Sequence, residues 1–344
     1  MTDIRAATGL PFDDIRALFR SMPGPAEDMV EKVRARDRVL TKPAGSLGRL
    51  EEIAEWLAAW QGIAPPQVLR PLAVVFAANH GVADKGVSAY PASVTRQMVE
   101  NFAAGGAAVN QICVAGGLGL KVFDLALDIP TPDISEADAF GEKECAATFA
   151  FGMEAIAGGT DLLCIGEMGI ANTTVAAAIA HALFGGSAQD WVGPGTGVDA
   201  AGVKHKADVV AQAVARIGGP QTLEPLEVLR RLGGREIAAM AGAIMAARHQ
   251  RIPVIIDGFV ATSAAAVLHA QQPGALDHCL AAHVSAEPAH KAMLEAIGKR
   301  PLLDLGMRLG EASGAALAAG IVKTAAQIHS GMATFDQAGV DTAS

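Results

Sequence analysis

Aromatic residues are scarce in this chain, and their scarcity limits the kind of core that it can form. Only 4% of the 344 residues are aromatic and a single tyrosine, Tyr90, is present, whereas 51% are hydrophobic. Alanine and glycine therefore supply much of the apolar content, which favours helices packed closely on one another or on a sheet. A chain of this length can bury a large core in one domain or two.

Cysteines are also few, and they are widely separated at positions 113, 145, 164 and 279. Their spacing fits neither a disulfide framework nor paired zinc ligands, so we expect reduced, buried thiols in a cytoplasmic protein. The nine histidines form no HExxH motif and no Cys/His cluster. We therefore expect neither a metal site nor a cofactor.

Positively charged residues are outnumbered by acidic ones, with 27 Lys and Arg, 36 Asp and Glu, and a net charge of −9. No polybasic run is present, which disfavours nucleic-acid binding. The longest uncharged window, 168–189, contains Asn172 and His181 and predicts a buried helix rather than a membrane span. Residues 1–11 lack a basic region followed by an apolar block, so we expect no secretory signal.

Short apolar runs of strand length alternate with helical segments beyond residue 70. The runs predicted as strands are 72–77, 120–125, 161–165, 253–256 and 280–284. This alternation predicts an α/β fold, with a Rossmann-like, open and mostly parallel sheet that has helices on both faces. Ligands of such sheets bind beyond the carboxyl ends of the strands.

Both ends of the chain are predicted to be helical and to lack strands. Amphipathic patterns cover 13–20, 26–40 and the stretch from Leu47 to Trp60, and an alanine-rich helix is predicted over 311–330. We expect these helices to pack together against the sheet.

The chain is thus predicted to have three parts. Residues 1–64 form the first part of a small helical subdomain, and residues 65–305 form the sheet domain. Residues 306–344 supply an active-site loop and a C-terminal helix that returns to the subdomain.

One carboxylate, Glu311, stands among small residues where a loop opens into the last long helix. Glycines such as Gly310 let a ligand approach the backbone, and the first turn of a helix has N–H groups free to bind an anion. Glu311 is therefore a candidate proton acceptor beside a phosphate ester. The competing interpretation is a first-turn acid that complements the helix dipole, a contribution of about 1 kcal/mol or less.

Polar segments follow the predicted strands. The first, 78–91, leads into a helix that carries Gln97, and its Tyr90 is suited to line a pocket for an aromatic ligand. Ser88 and Gln97 are candidate ligand contacts, whereas His80 is interpreted as a structural residue at a strand end. A plain surface loop is the alternative.

The segment 166–174 follows the third predicted strand. Asn172 or Thr173 is predicted to cap the next helix, which leaves N–H groups near Gly169 to face a ligand. Glu167, at the carboxyl end of the strand, is suited to bind a sugar hydroxyl or to transfer a proton.

The loop 193–199 is rich in glycine and suited to wrap a phosphate, with Lys204 or Lys206 as the countercharge. It is not a P-loop, because no Gly-Lys-Ser/Thr follows at that spacing, and a Gly/Pro turn remains an alternative. Ser285 is interpreted as a helix cap or as a phosphate ligand. The glycines at 116–119 precede a strand and fit a helix C-cap, which argues against a dinucleotide-dependent oxidoreductase.

Together these segments resemble those of the nicotinate-nucleotide:dimethylbenzimidazole phosphoribosyltransferases. The matching stretches are 42–51, 79–91, 166–174, 193–199, 257–263, 283–290 and 305–317. The resemblance implies that nicotinate mononucleotide and 5,6-dimethylbenzimidazole give α-ribazole 5′-phosphate and nicotinate, with inversion at the anomeric carbon. It also implies a homodimer and a sheet domain with a small helical domain. A non-catalytic nucleotide-binding protein on the same scaffold is the alternative.

The resemblance also assigns site residues. It implies that Glu311 accepts the proton and that Lys206, rather than Lys204, binds the phosphate. The implied pocket for the base consists of Ser88, Tyr90, Gln97, Met168 and Glu167. The implied ribose and phosphate site consists of Gly169, Gly195, Thr196, Lys206, Ser285 and Gly310.

Overall fold

The computed structural model describes residues 9–341 and is built around a six-stranded parallel sheet. Its strands are β1 (Pro71–Ala77), β2 (Gly119–Asp124), β3 (Leu162–Met168), β4 (Val254–Ile256), β5 (Cys279–His283) and β6 (Pro301–Leu303). They lie in the order β2-β1-β3-β4-β5-β6, and each neighbouring pair is parallel. Residues 1–8, where the absence of a leader was predicted, and 342–344 lie outside this description.

Helices connect the strands and cover both faces of the sheet. They are α1 (Phe12–Arg20), α2 (Glu27–Asp37), α3 (Arg49–Gln61), α4 (Ser93–Ala103), α5 (Ala108–Gly116), α6 (Glu142–Met153), α7 (Asn172–Phe184), α8 (Ala188–Trp191), α9 (Ala200–Arg216), α10 (Pro225–Leu232), α11 (Arg235–His249), α12 (Phe259–Gln271), α13 (His290–Ala296), α14 (Ser313–Gly331) and α15 (Phe335–Ala338). Among residues 9–341, no helix combines the length and apolarity that a bilayer span requires.

Successive residues of the central strands belong to two different cores. Val74 and Phe76 of β1 pack with the helices α6, α7, α11 and α12, whereas Ala73 and Val75 pack with α3, α5 and α14. Because side chains alternate between the faces of a strand, a strand buried on both faces is apolar throughout. This explains the continuous apolar runs and confirms the predicted α/β fold with a parallel sheet.

Small residues let the helices approach one another closely, as the composition predicted. A Cβ atom at Gly152 of α6 would overlap the backbone of Ala239 in α11, and one at Gly242 would overlap the backbone of Phe149. The backbones of these two helices therefore touch, and neither glycine can be enlarged without displacing them.

The terminal helices pack in two places. Helices α2 and α3 lie together and contact α14, which also covers the sheet. Phe12, Ile15 and Phe19 of α1 lie in the other core, on the side of α6. The division at residues 64 and 305 stays a prediction.

The five predicted strands are confirmed to within a few residues, whereas β6 was missed. It has three half-buried residues at the sheet edge and begins with Pro301, which gives no alternating apolar pattern. The glycines at 116 and 117 do end α5, with Gly117 in the left-handed conformation. The helix predicted over 311–330 is confirmed to within two residues, as Ser313–Gly331. Glu311 lies just before it, so the competing interpretation of a first-turn acid is wrong.

Candidate active site

A cleft of about 550 Å³ lies at the carboxyl end of the sheet. This volume is within the range of small-molecule sites. Its walls come from the ends of β3 and β5, the start of α12, the loop 193–199 and the loop that precedes α14. The predicted site residues that line it are Tyr90, Glu167, Met168, Gly169, Gly195, Thr196, Ser285, Gly310 and Glu311.

Three predicted site residues do not line the cleft. The hydroxyl oxygen of Ser88 lies 2.9 Å from that of Thr196, so Ser88 hydrogen-bonds a residue of the cleft wall. Gln97 is exposed on α4, between Val94 and Met98, which do line the cleft. Lys206 is only 1% exposed and is buried behind Gly195.

Glu311 is held in a turn with an unusual backbone conformation. Gly310, Glu311 and Ala312 have φ angles of 81°, 63° and 59°. A left-handed conformation costs a residue with a Cβ atom roughly 1–2 kcal/mol, and such residues cluster at functional sites. The N–H of Glu311 donates to the carbonyl of Glu167 at 3.1 Å, which ties the turn to the end of β3.

Two glycines allow this contact. Gly166 lies in β3 where a Cβ atom would overlap the backbone nitrogen and Cα of Ala312. A Cβ atom at Gly310 would lie 2.7 Å from Oε1 of Glu167. The turn that carries Glu311 therefore rests directly on the backbone of β3.

The buried carboxyls in the cleft have high pKa values. Burial raises the pKa of Glu311 to about 7, and the negative charge of Asp257 adds to the rise. Burial also raises the pKa of Glu167 to about 8, followed by the charge of Glu236, whereas a hydrogen bond from the Asn172 amide opposes the rise. A carboxylate with a pKa near neutrality is well matched to accept a proton at physiological pH.

The N-terminus of α14 is already occupied by an acid of the protein. Oδ1 of Asp257, the residue after β4, accepts a hydrogen bond of 2.8 Å from the N–H of Ala315. The prediction that these N–H groups are free for a ligand anion is therefore wrong. A carboxylate at a helix N-terminus is stabilised by the helix dipole.

The loop 193–199 is fixed by charged side chains. The N–H of Gly195 donates to Glu287 at 2.8 Å, and Arg308 donates to the carbonyl of Gly195 at 2.8 Å. The Lys206 ammonium donates to the Thr173 hydroxyl and to the carbonyl of Gly193, each at 3.1 Å. Burial lowers the pKa of Lys206 to about 8, opposed by the charge of Glu287. An anion beside Gly195 would favour the charged lysine.

Several residues have roles that the sequence did not reveal. Asn172 was predicted to cap α7, but the N-cap position is Ala171 and the Asn172 amide donates to Glu167. Asp257, Glu287 and Arg308 were not predicted as site residues. The available signal was an isolated charge directly after an apolar strand, as at Asp257.

His80 has the structural role that was predicted for it. Its Nε2 lies 2.7 Å from Oε1 of Glu236, and both side chains are almost fully buried behind Gly169. Within residues 9–341, no group of three or more histidine, cysteine, aspartate or glutamate side chains is arranged to hold a metal ion.

The high pKa of Glu311 predicts a pH-dependent effect on stability. The unfolded carboxyl has a pKa near 4.3, so stability that is present below that pH is lost as the pH rises through about 7. We expect Glu311→Gln to stabilise the fold by on the order of 3 kcal/mol at pH 8 and to have little effect at pH 4.5. Urea unfolding at the two pH values measures this, and equal effects at both would contradict the assignment.

Known proteins resemble this chain over most of its length. A family model described as phosphoribosyltransferase matches residues 22–340. A protein of Brucella anthropi named nicotinate-nucleotide–dimethylbenzimidazole phosphoribosyltransferase is 67% identical over 335 residues, which cover 97% of this chain and 98% of the relative. A protein of Brucella canis with the same name is 68% identical over equal shares.

A solved structure, described as CobT from Thermus thermophilus, superposes with a TM-score of 0.86 at 42% identity. The match covers 92% of this chain and 100% of that one. The chain therefore resembles these proteins in both sequence and fold over nearly its whole length. The chain is a phosphoribosyltransferase and belongs to the nicotinate-nucleotide–dimethylbenzimidazole phosphoribosyltransferase family.

Proposed function

We propose that this enzyme transfers the 5-phosphoribosyl group of nicotinate mononucleotide to 5,6-dimethylbenzimidazole, which gives α-ribazole 5′-phosphate and nicotinate. This reaction would supply the lower-ligand nucleotide of cobalamin. The names of relatives that share two thirds of its residues support the choice of substrates. The observation that carries the proposal is Glu311, a buried carboxyl with a pKa of about 7 that lines the cleft.

Nicotinate is a good leaving group in this reaction. It is joined to the ribose through a cationic ring nitrogen, so the electron pair of the broken C–N bond neutralises that nitrogen. The ribosyl carbon develops oxocarbenium character, as in glycoside cleavage. Departure therefore requires no acid. Attack from the opposite face converts a β-linkage into an α-linkage.

The incoming base is the partner that needs catalytic help. One benzimidazole nitrogen forms the new C–N bond, and the other nitrogen must lose its proton to leave a neutral product. We assign that proton to the carboxylate of Glu311, while the N–H electron pair returns to the ring. A positioned carboxylate typically contributes roughly 10²–10⁴-fold to the rate.

The base would lie in the apolar part of the cleft. Tyr90, Met168 and Phe259 line this region, and an aromatic ring packs well on such side chains. Glu167 lies beside Glu311 in the proposed base site. Ser88 contributes through Thr196, and Gln97 stays a candidate contact on α4, whose residues Val94 and Met98 line the cleft.

The nucleotide would occupy the side formed by the glycine-rich loop. Gly169, Gly195, Thr196 and Ser285 line the cleft there, and Gly310 lies beside Glu311. Lys206 lies directly behind Gly195, where its charge is close to a phosphate held by the loop. Binding of the phosphate, remote from the reacting carbon, helps to fix the ribose for attack.

Lys206→Ala is expected to raise the KM for nicotinate mononucleotide by roughly 10- to 100-fold with a smaller effect on kcat. A hydrogen bond to a charged group contributes about 1.5–3 kcal/mol, and the variant also removes the contacts to Thr173 and Gly193. Steady-state kinetics measure the change. The matched control is Lys204→Ala, because Lys204 is exposed two residues earlier on α9. Equal KM values for the two variants would contradict the assignment.

The reaction itself is tested by incubating the protein with both substrates and identifying the products by mass. The proposal predicts equal amounts of free nicotinate and α-ribazole 5′-phosphate. Binding of both substrates without release of nicotinate would instead favour a non-catalytic binding protein. A panel of benzimidazole, purine and phenolic bases in the same assay would define the preferred acceptor.

We further propose that the enzyme is a homodimer in the cytoplasm. Tyr90 and Leu309, which line the cleft, are 53% and 55% exposed, and Leu305, four residues before Leu309, is 60% exposed. Exposed apolar patches are typical of surfaces that another subunit covers. The four buried free thiols fit a reducing compartment. Sedimentation equilibrium at micromolar concentration tests the dimer, and a monomer would contradict it.

A further inference from the structure

Asp257 lies beneath the cleft and is more than an anchor for α14. Its side chain is 1% exposed, and Oδ1 accepts the N–H of Ala315. Oδ2 has no hydrogen-bond partner. A neutral acceptor such as an asparagine oxygen would satisfy the same N–H at a lower desolvation cost. Burial raises the pKa of Asp257, whereas the charge of His283 and the N–H groups at the start of α14 lower it and favour the charged form. The acid therefore requires an explanation beyond capping.

The neighbours of Asp257 leave it close to the turn that carries Glu311. A Cβ atom at Gly314 would lie 2.9 Å from Oδ1 of Asp257 and would overlap the ring of His283, so both side chains contact the first turn of α14. His283 Nε2 lies 3.8 Å from Asp257 Oδ1 and also has no hydrogen-bond partner. Glu311 precedes this turn by two residues.

Several titratable and charged groups of the described residues lie near this turn. The titratable and charged groups that face Asp257 or Glu311 are Glu167 at the end of β3, the Cys164 thiol within β3, His283 at the end of β5, and Arg308 and Glu287 at the rim. Burial is the largest cause of the raised pKa of Glu311, and the negative charge of Asp257 is the second.

We propose that Asp257 is a positioning residue for Glu311: it anchors the first turn of α14 through the N–H of Ala315, and it places a buried acidic side chain beneath the turn that carries Glu311. Both effects serve proton abstraction, because the first sets the place of the carboxylate and the second increases its basicity. This inference rests on the proposed role of Glu311 as the proton acceptor.

Asp257→Asn separates these two effects. The variant keeps an oxygen that can accept the Ala315 N–H but removes the charge. We expect the acid limb of the pH profile of kcat/KM for the benzimidazole, measured at saturating nucleotide, to move down by about one pH unit. The plateau should fall by roughly 3-fold, because a weaker base accepts a proton less readily, while the KM for the nucleotide stays unchanged. The substrate titrates in the same way with every variant, so a difference in the acid limb between variants comes from the protein.

Asp138→Asn is the matched control. Asp138 accepts hydrogen bonds from Arg216, Arg230 and Arg231 outside the cleft, so its loss should lower the melting temperature. The acid limb should stay in place, which distinguishes a general loss of stability from the proposed electrostatic effect. Asp257→Ser provides a second neutral variant if the asparagine variant does not fold.

The outcomes are distinct. An unshifted acid limb in a folded Asp257 variant, with Glu311→Gln inactive, overturns the role of Asp257 and leaves the proposed function intact. Full activity of Glu311→Gln overturns the proposed function instead. Failure of both Asp257 variants to fold would show that Asp257 has a structural role, and it would also overturn the inference.

Discussion

Glu311→Gln is expected to lower kcat by roughly 10²- to 10⁴-fold while the Kd for nicotinate mononucleotide changes by no more than about twofold. Glutamine has nearly the same shape as glutamate but cannot accept a proton. The carboxyl is 5% exposed in the cleft and has a pKa of about 7, so its removal deletes a base that is well matched to neutral pH. Single-turnover rates and nucleotide binding, measured on the same preparation, give both quantities.

The control for this variant is Glu295→Gln. Glu295 is exposed on α13 and does not line the cleft, so its replacement should leave kcat unchanged. The same substitution at Glu311 should also remove the acid limb of the rate profile near pH 7. Undiminished turnover of Glu311→Gln would eliminate this residue as the base.

Gly166→Ala is expected to lower kcat by about 100-fold or more and to destabilise the fold by about 3 kcal/mol. The new Cβ atom would overlap the backbone of Ala312 at the point where the Glu311 turn rests on β3. Since both sides of this contact are backbone, the clash cannot be relieved by a change of rotamer, and the turn must move away from the sheet. Displacing Glu311 by about 1 Å is enough to disrupt catalysis.

Kinetics and urea unfolding of Gly166→Ala test this prediction together. Gly320→Ala is the matched control, because no atom lies within 4 Å of a Cβ atom at that position in α14. An exposed glycine within a helix is less favourable than alanine, so the control should gain roughly 0.5–1 kcal/mol and keep its activity. Normal turnover in Gly166→Ala would contradict the tight seating of the Glu311 turn.

Much of the fold could be predicted from local patterns. Strands β1 to β5 are apolar because both of their faces are buried, and runs of that kind are visible in the sequence. The segments at their carboxyl ends could be predicted to meet, since parallel strands point the same way. Glu311 was predicted as a candidate because a single acid stands among small residues, and it lines the cleft.

What the sequence did not reveal depends on contacts between distant segments. Gln97 was predicted at the site and is exposed on α4, so its role there stays a prediction. Asp257 accepts a hydrogen bond from the N-terminus of α14, from a residue 58 positions later in the sequence. No local pattern indicates that this helix end already binds a carboxylate of the protein. The start of α14 at Ser313 follows from the seating of Ala312 on Gly166, which is also a long-range contact.

A crystal structure of this enzyme with 5,6-dimethylbenzimidazole bound tests the central claim most directly. We expect one ring nitrogen to lie within about 3 Å of a carboxylate oxygen of Glu311, while the other nitrogen faces the side of the cleft formed by Gly195. A base bound in the cleft with both ring nitrogens far from Glu311, or bound elsewhere, would contradict it.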